Sequence, residues 1–190
     1  MMDGKAAAHE IREPAAGNAP RMLVFTGDGK GKTTAALGMA LRAAGHGMAV
    51  KIIQFIKADA STGELAAFAM LPTVAIHQTG KGFVPPPDRP AFACHREAAA
   101  AGLRMATEAL CGGRYGLVVL DEICTAVDRG LLAEADVVAA LKAACADTVV
   151  ALTGRGATAG LITLADTVTE MHCIKHGARA GWPARKGVEL

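Results

Sequence analysis

The stretch TGDGKGKTTAALG, Thr26 to Gly38, sets four glycines and two lysines between an apolar run, RMLVFTG (21–27), and an alanine-rich one. Neither a strand nor a helix tolerates so many glycines, so the chain must turn sharply between the two. A glycine-rich turn between a strand and a helix can aim several backbone N–H groups at one anion, and the helix N-terminus adds partial positive charge. Lys32 would supply a point charge to a phosphate, and the Thr33 hydroxyl a ligand for Mg²⁺ or Mn²⁺. Against the general pattern GxxxxGK[ST], Thr26 stands where the first glycine belongs, and the glycine-rich part, Gly27 to Gly31, is one residue shorter. The plain alternative is a turn that only lets strand and helix pack. Lys30 is open to either role, phosphate clamp or solvated cation.

Beyond the turn, short β-rich runs alternate with longer alanine-rich ones: KTTAALGMALRAAG (32–45), then AVKIIQFI (49–56), TVAIHQ (73–78), YGLVVLDE (115–122), DTVVALTG (147–154) and TVTEMHCIK (167–175). Residues 88–111 and 134–145 read as helices. This alternation predicts βαβ units, and the continuous apolar runs predict strands covered on both faces, with the sheet core around Val118, Val119 and Leu120. The expected fold class is α/β: a P-loop NTPase-like (RecA-like), mostly parallel sheet with helices on both faces, in a single domain over residues 21–190. Residues 1–20, small, polar and proline-containing, are expected to be a flexible N-terminal arm. KGFVPPPDRP, Lys81 to Pro90, must be a loop, because three consecutive prolines remove donors and fix φ.

Composition narrows the function. The chain has 190 residues, 52% hydrophobic and 20% charged, with a formal net charge of +2, so it carries no electrostatic footprint of a nucleic-acid binder. No apolar run approaches the roughly 18 residues of a membrane helix, and the N-terminus lacks the apolar core of a secretory signal. Five cysteines without a CxxC pair read as buried free thiols in a reducing cytosol. A cytoplasmic protein with no membrane or nucleic-acid partner is expected.

LVVLDE places Asp121 and Glu122 at the end of a buried strand. In open parallel sheets ligands bind outside the carboxyl ends of the strands, so both acids should face the same crevice as the glycine turn, where one would hold the metal directly or through water. Gln54 and Lys57 after the second strand, and Thr153, Gly154 and Arg155 after the fifth, should line that crevice, with Arg155 a candidate clamp for triphosphate oxygens. Each is equally open to a solvated-loop role. His46, in AAGHG, suits the end of a helix. His77, His95 and His172 are scattered, and His176 falls in a glycine- and base-rich tail that could fold over a ligand. No Ser/His/Asp or Cys/His arrangement can be argued, which points to a protein that positions ligands without supplying the nucleophile.

Together, TGDGKGKTTAALGMALRAAGHG, QFIK, GKGF, LVVLDE, LTGRG, LADTVTEM and KHGARAGWPARKGVEL resemble, in order and over roughly residues 21 to 190, the P-loop-type ATP:corrinoid adenosyltransferases of cobalamin synthesis. The shortened loop GDGKGKTT is how that family's loop looks. The resemblance implies transfer of the 5′-deoxyadenosyl group of ATP to the Co(I) of a reduced corrinoid, with release of triphosphate, in de novo synthesis or salvage. It implies an ATP loop of Gly27, Asp28, Gly29, Lys30, Gly31, Lys32, Thr33 and Thr34. The metal would be carried by Thr33 with Asp121 or Glu122, and the nucleotide bound in the reverse sense to ordinary P-loop enzymes.

Phe83, in GKGF, matches a family aromatic that packs against the corrin and helps drive off its lower axial ligand. Relatives often read GFTW, whereas this chain reads GFVPP, with Pro85 where the tryptophan would stand and its one Trp, Trp182, in the tail. Either weaker ligand displacement or a preference for corrinoids without a bulky lower ligand would follow. A homodimer and a reduced flavoprotein as electron donor are further implications. The alternatives are another P-loop NTPase or small-molecule kinase acting at the γ-phosphate, and a non-catalytic nucleotide- or corrinoid-binding regulator.

Overall fold

Where the β-branched runs fall, strands form. The computed structural model describes residues 19–188 and contains β1 (Arg21–Thr26), β2 (Val50–Gln54), β3 (Val74–Gln78), β4 (Leu117–Asp121), β5 (Val149–Thr153) and β6 (Thr167–Glu170). They join in one six-stranded sheet of order β3-β2-β4-β5-β1-β6, in which every pairing is parallel. Residues 1–18 of the expected arm lie outside the described residues. No helix among the described residues is long and apolar enough to cross a membrane.

Alternation along each strand divides the core in two. Val118 and Leu120 of β4, Ile53 of β2 and Val150 and Leu152 of β5 pack with α3 (Ala91–Cys111), α4 (Ile123–Asp128), α5 (Glu134–Lys142) and α6 (Ala159–Leu164). Leu117, Val119, Val50, Ile52 and Ala151 face the other way, against α1 (Lys32–Gly45) and α2 (Gly63–Ala69). Helices therefore cover both faces, as the continuous apolar runs require. α1 meets the sheet through Ala36 and Ala40, both fully buried, so small side chains let it lie close over the sheet.

Four features depart from the sequence expectation. α2, α4 and α6 are present though too short, at seven, six and six residues, to leave a readable helical period. β6 ends at Glu170 instead of continuing to residue 175. The reason is Met171: its N–H still reaches Thr26 O at 2.9 Å, but its carbonyl turns to accept from Gly29 N at 2.6 Å, so the chain leaves the sheet to cover the glycine turn.

The sheet order places the carboxyl ends of β4, β5 and β1 side by side. The glycine turn follows β1, Asp121 ends β4 and Thr153 ends β5. Three chain segments that carry polar groups thus emerge together on one edge.

Candidate active site

The turn from β1 into α1 is built around close backbone approach. Gly27 and Gly31 have φ of 92° and 113°, in the left-handed region, and a Cβ on Gly27 or Gly29 would stand 2.5 or 2.7 Å from the Met171 carbonyl oxygen. Thr26 sits before this crowding: it is still in register with Glu170, and its hydroxyl accepts from Ala157 N at 3.3 Å. A glycine there is unnecessary, which accounts for the shortened glycine segment. Gly31 caps α1 without any side-chain hydrogen bond, so the first amides of the helix are left to point outward.

Lys32 is 7% exposed, and its ammonium donates to Gly27 O at 2.8 Å and Gly29 O at 2.6 Å. It therefore holds the turn in shape from inside while keeping a cation beneath the amides. Burial pulls its pKa below the ordinary lysine value, opposed by Glu122; Arg155 adds to the pull and Asp28 opposes it.

Residues 28–34 form one wall of a cavity of about 350 Å³, and Glu122, Thr125, Asp128, Arg129 and Arg155 form the other. Four cations, Lys30, Lys32, Arg129 and Arg155, therefore surround a space bounded by helix amides, an arrangement suited to a polyphosphate. Arg155 makes only a loose surface pair with Asp28, 4.0 Å from Nε to Oδ1, which leaves its guanidinium available to a ligand.

Asp121 lies behind this wall, fully buried. Its Oδ1 accepts from Thr33 Oγ1 and Thr153 Oγ1, each at 2.7 Å, and its Oδ2 from Gln54 Nε2 at 3.0 Å, with Lys57 Nζ 3.7 Å away. Because Thr33 donates its proton to Asp121, its oxygen lone pairs are turned free for a cation. Glu122 stands differently. It is the one non-glycine among the described residues with positive φ, 63°, and its carboxylate accepts from Thr125 Oγ1 at the cavity wall. Such backbone strain is typical of functional positions. The Thr33 hydroxyl and the Glu122 carboxylate, which line the same cavity, are hard-oxygen donors of the kind that Mg²⁺ takes, while the buried Asp121 reaches that set only through Thr33.

The expected residues thus divide into three groups. Asp28 to Thr34, Glu122 and Arg155 share the cavity, while Gly27 bounds the turn through its carbonyl. Gln54 is fully buried and acts on Asp121, and Lys57 is paired with Glu64 Oε1 at 2.6 Å. Phe83 stands apart, 91% exposed, on a loop pinned beside the end of β2 by Thr79 N to Gln54 O at 3.0 Å and Gly82 N to Ile56 O at 2.8 Å. His46 caps the end of α1, and His176 caps the 3₁₀ turn Gly177–Ala180 by accepting from Ala178 N at 3.1 Å.

Sequence reasoning missed Thr125, Arg129, Glu64 and Met171. Thr125 lies on α4, too short to be read, and Arg129 caps its end; Glu64 is betrayed only by TGEL, an acid in the first turn of a helix entered at Thr62. Nothing local marks Met171.

Comparison with known proteins agrees with this geometry. A family model described as ATP:corrinoid adenosyltransferase BtuR/CobO/CobP matches residues 18–190. A corrinoid adenosyltransferase of Pseudomonas aeruginosa is 46% identical over 171 residues, 89% of this chain and 83% of the relative. One from a Sinorhizobium species is 38% identical over 194 residues, covering 100% and 89%, and the corrinoid adenosyltransferase CobA of Salmonella typhimurium is 37% identical over 183 residues, covering 88% and 84%.

Proposed function

The chain belongs to the ATP:corrinoid adenosyltransferase family, and from that premise we propose that it is an alkyl transferase that moves the 5′-deoxyadenosyl group of ATP to a corrinoid cobalt. The reduced cobalt, Co(I), supplies an electron pair to C5′; the Co–C bond forms as the C5′–O bond breaks, and triphosphate departs with that bond's electrons. Here the substrate brings the nucleophile, and the protein's work is to bind, orient and stabilise charge. The observation that carries this reading is the cavity itself, in which the amides of the turn and the cations Lys30, Lys32, Arg129 and Arg155 are gathered in a way that suits a phosphate chain.

In this reading Lys32, the amides of residues 29–34 and Arg155 hold the triphosphate as negative charge develops on its α-end. Lys32 does so from a fixed position, since its two carbonyl contacts keep the ammonium against the turn before the ligand arrives. Thr33 and Glu122 would hold Mg²⁺, with Asp121 orienting the Thr33 hydroxyl; when bound, the ion would neutralise part of the phosphate charge. Asp121 is assigned this supporting place because its carboxylate oxygens are already taken by three protein donors. Phe83, exposed beside the end of β2, is suited to lie against the corrin face.

A homodimer supplied with electrons by a reduced flavoprotein completes the reading and rests on the resemblance alone; the cytoplasmic setting, and an arm of residues 1–20 before a domain over residues 21–190, rest on the composition and patterning of the sequence. Lys32→Ala tests the site: it should abolish turnover and weaken ATP binding by about a hundredfold or more, whereas near-normal activity would remove the phosphate-site assignment.

A further inference from the structure

Two carboxylates and one ammonium meet behind the cavity. Lys57 Nζ lies 2.6 Å from Glu64 Oε1 and 3.7 Å from Asp121 Oδ2, and the side chains of Glu64 and Asp121 are 18% and 0% exposed. Gln54 sits between the acids, its Nε2 donating to Asp121 Oδ2 at 3.0 Å and reaching Glu64 Oε1 at 3.4 Å. Gln78 Nε2 donates to Gln54 Oε1 at 3.0 Å, which fixes the Gln54 amide so that its donor must face the acids.

We infer that Glu64, at the start of α2, is a positioning residue that holds the Lys57 ammonium off Asp121 and so keeps the Asp121 carboxylate free to orient Thr33. Lys57 is within reach of both acids, and Glu64 wins it by about one ångström. Without Glu64 the ammonium has one anion left to approach, Asp121 Oδ2. In that buried setting a direct ion pair would outweigh the hydrogen bonds from the uncharged Thr33 and Thr153 hydroxyls that now set the carboxylate. The carboxylate would turn toward Lys57, the Thr33 hydroxyl would lose its fixed acceptor, and the negative charge next to the cation site would be neutralised. Gln54 cannot prevent this, because its amide is uncharged. The loss would therefore fall on the metal-bearing nucleotide and spare the nucleotide without metal.

The inference rests on the phosphate-site reading above, and its test uses binding without corrinoid, so that no turnover is required. Calorimetry on the full chain should show Glu64→Ala weakening Mg²⁺·ATP about tenfold and metal-free ATP by less than about twofold. Adding Lys57→Ala to Glu64→Ala should restore Mg²⁺·ATP affinity to within about threefold of the parent, because the displaced cation is gone. Glu64→Gln, which keeps the shape, repeats the test if the alanine variant folds poorly, and should also be recovered by Lys57→Ala. Unchanged Mg²⁺·ATP affinity in both single variants, equal losses with and without metal, or a double variant no better than the single one would each overturn the inference. Lys32→Ala binding as tightly as the parent would overturn the phosphate-site reading itself, and the inference with it.

Discussion

The Thr33 hydroxyl donates to Asp121 Oδ1 across 2.7 Å, tying the first turn of α1 to the end of β4. Both residues are also held elsewhere, Thr33 by its helix and Asp121 by Thr153 and Gln54, so the bond is a joint between two rigid parts. Replacing Asp121 with Asn sets an amide against donors on both sides: Gln54 Nε2 already donates to one oxygen, and the two threonine hydroxyls to the other.

Asp121→Asn should therefore cost about 1–3 kcal/mol of folding stability and weaken Mg²⁺·ATP binding by about tenfold or more. Thermal melts and calorimetry check both. An Asn variant that binds Mg²⁺·ATP like the parent would contradict the orienting role.

Phe83 separates function from stability. At 91% exposure it contributes little packing, so Phe83→Ala should change stability by no more than about 0.5 kcal/mol. Reduction and adenosylation of corrinoids that carry a bound lower ligand should suffer more than those without one. Equal losses on the two substrate classes would argue that Phe83 does not act on the lower ligand.

The cysteines should split by environment. Cys124 is fully buried on α4, and burial together with the Glu122 charge pushes its thiol up to about 12, whereas Cys94 and Cys111 are exposed, contrary to the expectation of buried thiols throughout. Near neutral pH a thiol reagent should label Cys94 and Cys111 in the native protein and reach Cys124 only on unfolding. Labelling of native Cys124 at the rate of Cys94 would show that α4 opens readily.

Much of this was legible in the chain because the signals are local. The β-branched runs marked all six strands, and a dense run of glycines before GKTT marked the turn without any tertiary knowledge. Asp121 and Glu122 were adjacent letters, yet their division of labour was invisible, since it depends on a backbone twist at Glu122 and on donors from Thr33, Gln54 and Thr153 that lie 88, 67 and 32 residues away. Gln54 and Lys57 were expected at the crevice and instead stand behind it, because strand-end logic gives the edge of a sheet but not which side chain turns inward. The Met171 contact with Gly29 was unreadable for the same reason: only the β1–β6 pairing brings the two together.

Product identity decides between adenosyl transfer and chemistry at the γ-phosphate. Anaerobic incubation of the protein with ATP, Mg²⁺ and chemically reduced corrinoid should yield adenosylated corrinoid and inorganic triphosphate in equal amounts, with no ADP. Formation of ADP with a phosphorylated acceptor or free phosphate, or tight nucleotide binding with no product at all, would contradict adenosyl transfer at this site.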